Sequence, residues 1–154
     1  MEISAIDGGA MELAATGNAV ATYQILSNEL KTPTILICPT DKTRSAATNF
    51  TTGFTARNIT YFVGVDANTN YPRIFLSGDD NLVVNDVPVK SGLLELSTNK
   101  TADWYKIPVD WAESRHYPGG MIGFADGEVR ETYYGSLRQY LSETGVATNR
   151  LAIP

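Results

Sequence analysis

The chain contains a single histidine, His116, and a single cysteine, Cys38. One imidazole excludes zinc sites built on two or three histidines, and one thiol excludes both an internal disulfide and a multi-thiolate metal centre. His116 is followed by nine residues and then by Asp126-Gly127, with Gly119 and Gly120 in between. The simplest role for His116 is to anchor this loop by hydrogen bonds to backbone or to a nearby carboxylate, because one neutral imidazole can lock a turn alone. The sharper role, a ligand or general base beside Asp126, needs a nucleophile and an oriented pocket that the sequence does not announce. Asp126-Gly127 is explained first by turn geometry. Gly119-Gly120 reads as a tight bend, since a phosphate cradle opens a helix and this pair opens a strand. Cys38 lies in an apolar run before Pro39 with no activating histidine near in sequence, which makes it a buried, inert thiol.

Two groups of oxygen donors could hold calcium. Asp66, Asn68 and Asn70 have the spacing of an EF-hand start, but Tyr71 replaces the required glycine and Ser77 the bidentate glutamate. Asp79, Asp80, Asn81 and Asp86 form a looser set, whose ordinary reading is a solvated turn. Among the aromatics, Tyr105, Ile107, Val109 and Trp111 alternate like the core face of a strand. Trp104, Tyr117, Tyr133 and Tyr134 follow no such pattern, and an exposed cluster of them would suit a glycan or a partner protein.

Twelve basic against seventeen acidic residues leave a formal charge of −5. No positive field exists to gather phosphates, which argues against nucleic acid as a partner. With 154 residues and 43% apolar composition, one globular domain over 1–154 can bury roughly 68–70% of its unfolded surface without a metal or disulfide staple. Apolar runs such as 34–38 and 59–63 fall far short of the roughly twenty residues that span a membrane. Met1-Glu2-Ile3-Ser4 carries no feature of a signal peptide.

The elements that must position these residues follow from periodicity and punctuation. Asn18 caps a helix with Val20, Tyr23, Leu26 and Leu30 on one face, ended near Lys31 by Pro33. Residues 34–38 read as a buried strand, 40–52 as an exposed loop, and 59–65 as a strand packed on one face. Short strands follow at 73–76, 82–84, 93–96 and 105–109, separated by turns at 77–80, 85–86 and 98–100. Residues 121–125 and 128–133 flank Asp126-Gly127 as a hairpin, with both turn residues expected at positive φ. A last helix spans 137–144, with Ser136 and Gln139 at capping-box spacing and Gly145 just past its end. Helices do not alternate with strands, so the class is α+β with an antiparallel sheet.

The ordered set of motifs resembles a bacterial prepilin-like family named for a histidine, nine residues and Asp-Gly. Arg115-His116, the paired glycines and Phe124 to Val129 look like its carboxy-terminal signature, which commonly has a second histidine where Glu128 stands. Leu26 to Leu30, Ile35 to Pro39, Ile59 to Gly64, Leu76 to Asp79 and Thr144 to Leu151 are similar to its type II secretion branch. The likeness therefore runs over nearly the whole chain.

That resemblance implies a pilin-like head: an amino-terminal helix packed on an antiparallel sheet, with a carboxy-terminal hairpin and a short helix. It implies a structural subunit, pseudopilin or pilin-like, of a type II secretion or type IV pilus-like assembly, with other pilin-like subunits as partners and no enzymatic activity. His116, Gly119, Gly120, Asp126 and Gly127 are then a structural signature. No cofactor is expected, except that calcium-stabilised loops in some pseudopilin heads keep Asp79, Asp80, Asn81 and Asp86 as a candidate set.

Family members begin with a basic leader, a peptidase site and a long apolar helix, none of which stands in this sequence. The expectation is a head cut from a longer, inner-membrane-anchored protein of the cell envelope, periplasmic or extracellular. It would touch membrane only through the missing helix and would be monomeric or weakly oligomeric in isolation. Loss of that helix predicts an uncovered apolar strip beside the sheet. The alternative is a surface or secreted module for carbohydrate or protein built on the same head.

Overall fold

In the computed structural model, residues 4–7, 9–99 and 107–154 are described. Asn18 starts a helix as expected, its side-chain oxygen accepting a hydrogen bond from the Ala21 N–H at 3.0 Å. That helix is α2 (Ala19–Ile25), preceded by a short α1 (Met11–Ala15) that the periodicity does not reveal. It gives way at Leu26 to a last turn, α3 (Ser27–Leu30), and Lys31 closes it with φ of 67°. Residues 34–38 are not a strand. Pro33 at the first helical position and the Thr32 side chain, accepting from the Thr34 N–H, start a 3-10 turn over Pro33–Leu36. Leu36 and Cys38 are buried from it while Ile35 is exposed.

The strands are β1 (Tyr61–Gly64), β2 (Phe75–Asp79), β3 (Leu82–Val84), β4 (Val87–Pro88), β5 (Gly92–Ser97), β6 (Val109–Trp111), β7 (Gly119–Phe124), β8 (Val129–Tyr133) and β9 (Thr148–Ile153), with α4 (Leu137–Glu143) before the last. The class is α+β. Antiparallel pairing builds a six-stranded sheet in the order β5-β9-β1-β2-β7-β8 and a three-stranded sheet β4-β3-β6.

Three expectations change for identifiable reasons. The turn placed at 77–80 lies largely inside β2. Gly78 marks a close approach there, since a Cβ would stand 2.7 Å from the Phe62 ring, and it does not mark a bend. β1 is buried on both faces because core layers cover the sheet on either side of it, so Phe62 and Val63 enter different core clusters. The carboxy-terminal strand β9 is absent from the sequence reading, because Asn149 and Arg150 interrupt its apolar run. Asn149 is nonetheless buried with its amide donating to Thr144 Oγ1, and Arg150 is bound by Asp66.

The turns also exchange roles. Gly127 has φ of 88°, but Asp126 stays out of the left-handed region, and the loop is closed by Phe124 accepting from Gly127 N–H and donating to Glu128. Both residues of Asn85-Asp86, at φ of 51° and 61°, take the positive-φ turn instead. The Ser136 side chain makes no capping bond to α4 and instead ties the turn through Tyr133, whereas Gly145 adopts φ of 80° as expected. Val109 and Trp111 are buried as predicted, Ile107 is exposed, and Lys100, Trp104 and Tyr105 lie outside the described residues.

The core has two layers. On one face of the large sheet Phe62, Phe75, Ile122, Phe124, Leu151 and Ile153 meet Leu137 and Leu141 of α4, together with Leu82, Val109 and Trp111 of the small sheet. On the other, Val63, Val65 and Ala152 meet Ala14, Ala19 and Tyr23 of α1 and α2. Among the described residues no helix is long and apolar enough to cross a membrane.

Candidate functional site

Asp79, at the end of β2, is fully buried on the helix-bearing face of the sheet. Its Oδ2 accepts from the Met121 N–H at 2.8 Å, while Oδ1 has no hydrogen-bond partner. Burial pushes its carboxyl above the ordinary range, against the opposing pull of the Met121 N–H, His116 and Arg115.

Cys38 reaches the same point from the loop after the Pro33–Leu36 turn. Its N–H donates to Thr60 Oγ1 at 2.7 Å, and that hydroxyl donates to Leu36 O, which fixes the thiol. His116 arrives from the loop before β7. Its Nε2 lies 2.9 Å from Cys38 Sγ, 3.4 Å from Thr40 Oγ1 and 3.7 Å from Asp79 Oδ2. Thr40 Oγ1 is in turn 3.0 Å from the sulfur.

A charged frame surrounds this trio. Asp80 is paired by both Arg44 and Arg115, whose guanidinium groups also donate to the Ile59 and Thr60 carbonyls. Arg115 Nε stands 3.7 Å from Asp41. Burial raises the Asp41 carboxyl, but the Thr43 and Arg44 N–H groups, the Thr43 hydroxyl and Arg115 outweigh it and hold the group below the usual range.

The opposite end of β7 is different in kind. Six residues of strand separate its ends by roughly 17 Å, so His116 and Asp126 do not share a site. Asp126 Oδ1 accepts from the Glu128 N–H at 2.9 Å, a local turn bond. Glu128 binds Arg73 and Arg130, which hydrogen-bond its carboxylate and hold it below the usual range. Gly119 and Gly120 open β7, and a Cβ on Gly120 would stand 2.6 Å from the Trp111 ring.

The candidate calcium set does not gather. Asp79, Asp80 and Asn81 are buried, with Asp80 engaged by arginines, and Asp86 sits on the β3–β4 turn. Among the described residues the one group of three or more acidic, thiol or imidazole side chains whose donor atoms converge, all within 4.8 Å, is Cys38, Asp79 and His116. Asp66, the first residue of the failed EF-hand pattern, is bound by Arg150 at the edge of an open cleft of about 540 Å³.

The Cys38–His116 encounter is what sequence reading misses, because 78 residues separate the two. The signal that could have found it is charge complementarity: Asp41 stands three residues after Cys38, and Arg115 precedes His116.

A second surface lies on the same face of the sheet. One cross-strand row runs Val129, Gly123, Ser77, Val63, Ala152, Leu93. Val63 and Ala152 are buried under the helices, but Val129 is 63% exposed, and a Cβ on Gly123 would meet nothing closer than 3.7 Å. Four residues along β8 from Val129, and on the same face, Tyr133 is also exposed. It stands opposite Gly119, near Tyr134, whose N–H donates to Pro118 O, and Tyr117.

Comparison with protein families, with curated proteins and with solved structures finds no match.

Proposed function

We propose that the chain is the head of a structural subunit, pseudopilin or pilin-like, acting by assembly with other pilin-like subunits in a type II secretion or type IV pilus-like system. The supporting observation is the half-covered sheet face. The helices bury Val63 and Ala152, while Gly123 and Val129 in the same row remain open. A glycine floor flanked by Val129, Met121 and Tyr133 suits a close-packed apolar helix contributed by the assembly. In this reading the head stands in the periplasm or outside the cell, and membrane contact belongs to such a helix.

Photo-crosslinking from position 133, exposed on the same face of β8, tests this in the native host. Adducts with pilin-like subunits are expected, and Val129→Glu should reduce them at least tenfold while leaving the melting temperature unchanged. Adducts only with unrelated proteins, or none, overturn the reading.

The exposed Tyr117, Tyr133 and Tyr134 favour a second reading, a carbohydrate- or protein-binding module on the same head. Saturation-transfer NMR against glycans, with signals confined to these rings and lost in Tyr133→Ala, would support it.

A further inference from the structure

We propose that Cys38, Asp79 and His116 form a binding site for a divalent transition ion of the zinc class, with one coordination position open toward solvent. The inference is independent of any role in assembly and rests on convergence. The only thiol and the only imidazole of the chain meet a buried carboxylate, and their donor atoms all lie within 4.8 Å of one another.

The spacing fits the metal. Zinc bonds of about 2.3 Å to sulfur and about 2.0–2.2 Å to nitrogen and oxygen place tetrahedral ligands roughly 3.3–3.6 Å apart. His116 Nε2 and Asp79 Oδ2 stand at 3.7 Å. The 2.9 Å between Nε2 and Cys38 Sγ needs to open by about 0.6–0.7 Å, a small movement for an imidazole on a loop.

The geometry favours a cation over a proton relay. In a Cys–His–Asp relay the carboxylate orients one ring nitrogen and the thiol uses the other. Here thiol, carboxylate and the Thr40 hydroxyl all crowd Nε2. A proton on that nitrogen serves one acceptor at a time, whereas a metal ion can satisfy every lone pair directed at it.

Charge and burial agree. Asp41 and Asp80 offset Arg44 and Arg115, which leaves Asp79 as the unmatched charge of the frame. Its Oδ1 is buried with no partner, which leaves the carboxylate short of the bonds that burial demands, and a cation at Oδ2, the oxygen that faces His116, offsets that cost. A dication with one thiolate and one carboxylate makes a neutral centre. Calcium is disfavoured, because it takes six to eight oxygen ligands and this site offers sulfur and nitrogen. Three protein ligands leave a fourth position for Thr40 or water, reached from the exposed side of the His116 ring, whose side chain is 29% accessible.

The test uses the full 154-residue chain, purified without a histidine tag and stripped of metal. Titration with Co²⁺ and Zn²⁺ should show one equivalent bound, with a thiolate-to-cobalt charge-transfer band, tetrahedral visible bands and a raised melting temperature. Cys38→Ser should abolish the charge-transfer band. His116→Ala and Asp79→Asn should each weaken Zn²⁺ binding by more than about tenfold, since outer-shell partners alone cost 10–100-fold. Circular dichroism of the metal-free variants checks that they fold, and Asp79→Asn preserves shape. Absence of stoichiometric binding overturns the proposal. So does binding that lacks the thiolate band or survives unchanged in all three variants.

Discussion

The two ends of β7 each gather arginines around a carboxylate, and the two gatherings obey different physics. At the His116 end, Asp80 and Arg115 have side chains 1% and 6% exposed. At the Asp126 end, Glu128 and Arg130 are 38% and 42% exposed. An ion pair in water gains little, because solvent screens the attraction and two long side chains must be ordered. A buried pair has no water to fall back on, so losing one member leaves the other's charge poorly compensated. The same residue types therefore act as a structural frame at one end of a strand and as a surface clasp at the other.

The largest expected effect breaks the frame. Asp80→Ala leaves Arg44 and Arg115 with only the longer contacts to Asp41, at 4.0 and 3.7 Å, a loss of about 3–5 kcal/mol for a broken buried pair. For a domain of this size that corresponds to a melting temperature lower by on the order of 10 °C. Calorimetry of the metal-free chain measures it. A shift below about 2 °C would place Asp80 in the same class as Glu128 and dissolve the contrast.

Glycine substitutions sharpen the comparison at intermediate size. Gly120→Ala, near the His116 end, drives a methyl into the Trp111 ring, 2.6 Å away, and overpacking of this kind costs about 1–3 kcal/mol. Gly127→Ala meets no atom within 4 Å but must adopt φ of 88°, a backbone penalty of about 1–2 kcal/mol. Urea midpoints at constant slope rank the two. Equal midpoints, with Trp111 fluorescence unchanged in Gly120→Ala, would mean that the Trp111 contact yields freely.

What was legible in the sequence follows the same division between local and distant causes. The Asn18 cap, the short strands 82–84 and 93–96, the 121–133 hairpin and the helix ended by Gly145 are written in adjacent residues, and each stands in the fold. Gly78 misleads because a glycine signals either a bend or a close neighbour, and the Phe62 ring that decides is on another strand. β9 is hidden because Asn149 and Arg150 are polar, and their partners Thr144 and Asp66 come from elsewhere in the chain. His116 was expected to hold its loop through backbone or a nearby carboxylate, and Asp79 faces it, but Asp126 does not. The Cys38 thiol beside it depends on three segments meeting, which no window of sequence contains.

The smallest effects concern pH, and the two ends should answer with opposite sign. The lowered Glu128 pKa means its clasp is fully formed above the unfolded carboxyl range near 4.5. Its contribution is lost as pH falls through the lower folded value. Wild-type chain and Glu128→Gln should therefore differ slightly in melting temperature at neutral pH and converge in acid. Asp79 has a raised pKa, so in metal-free protein its charged form works against folding, and that cost disappears as pH falls through the raised value. Asp79→Asn should melt at or above wild type at pH 7, with the difference closing in acid. If Asp79→Asn instead melts lower at pH 7 and the deficit shrinks on acidification, the buried carboxylate is stabilising when charged, and the opposition between the two ends of β7 fails.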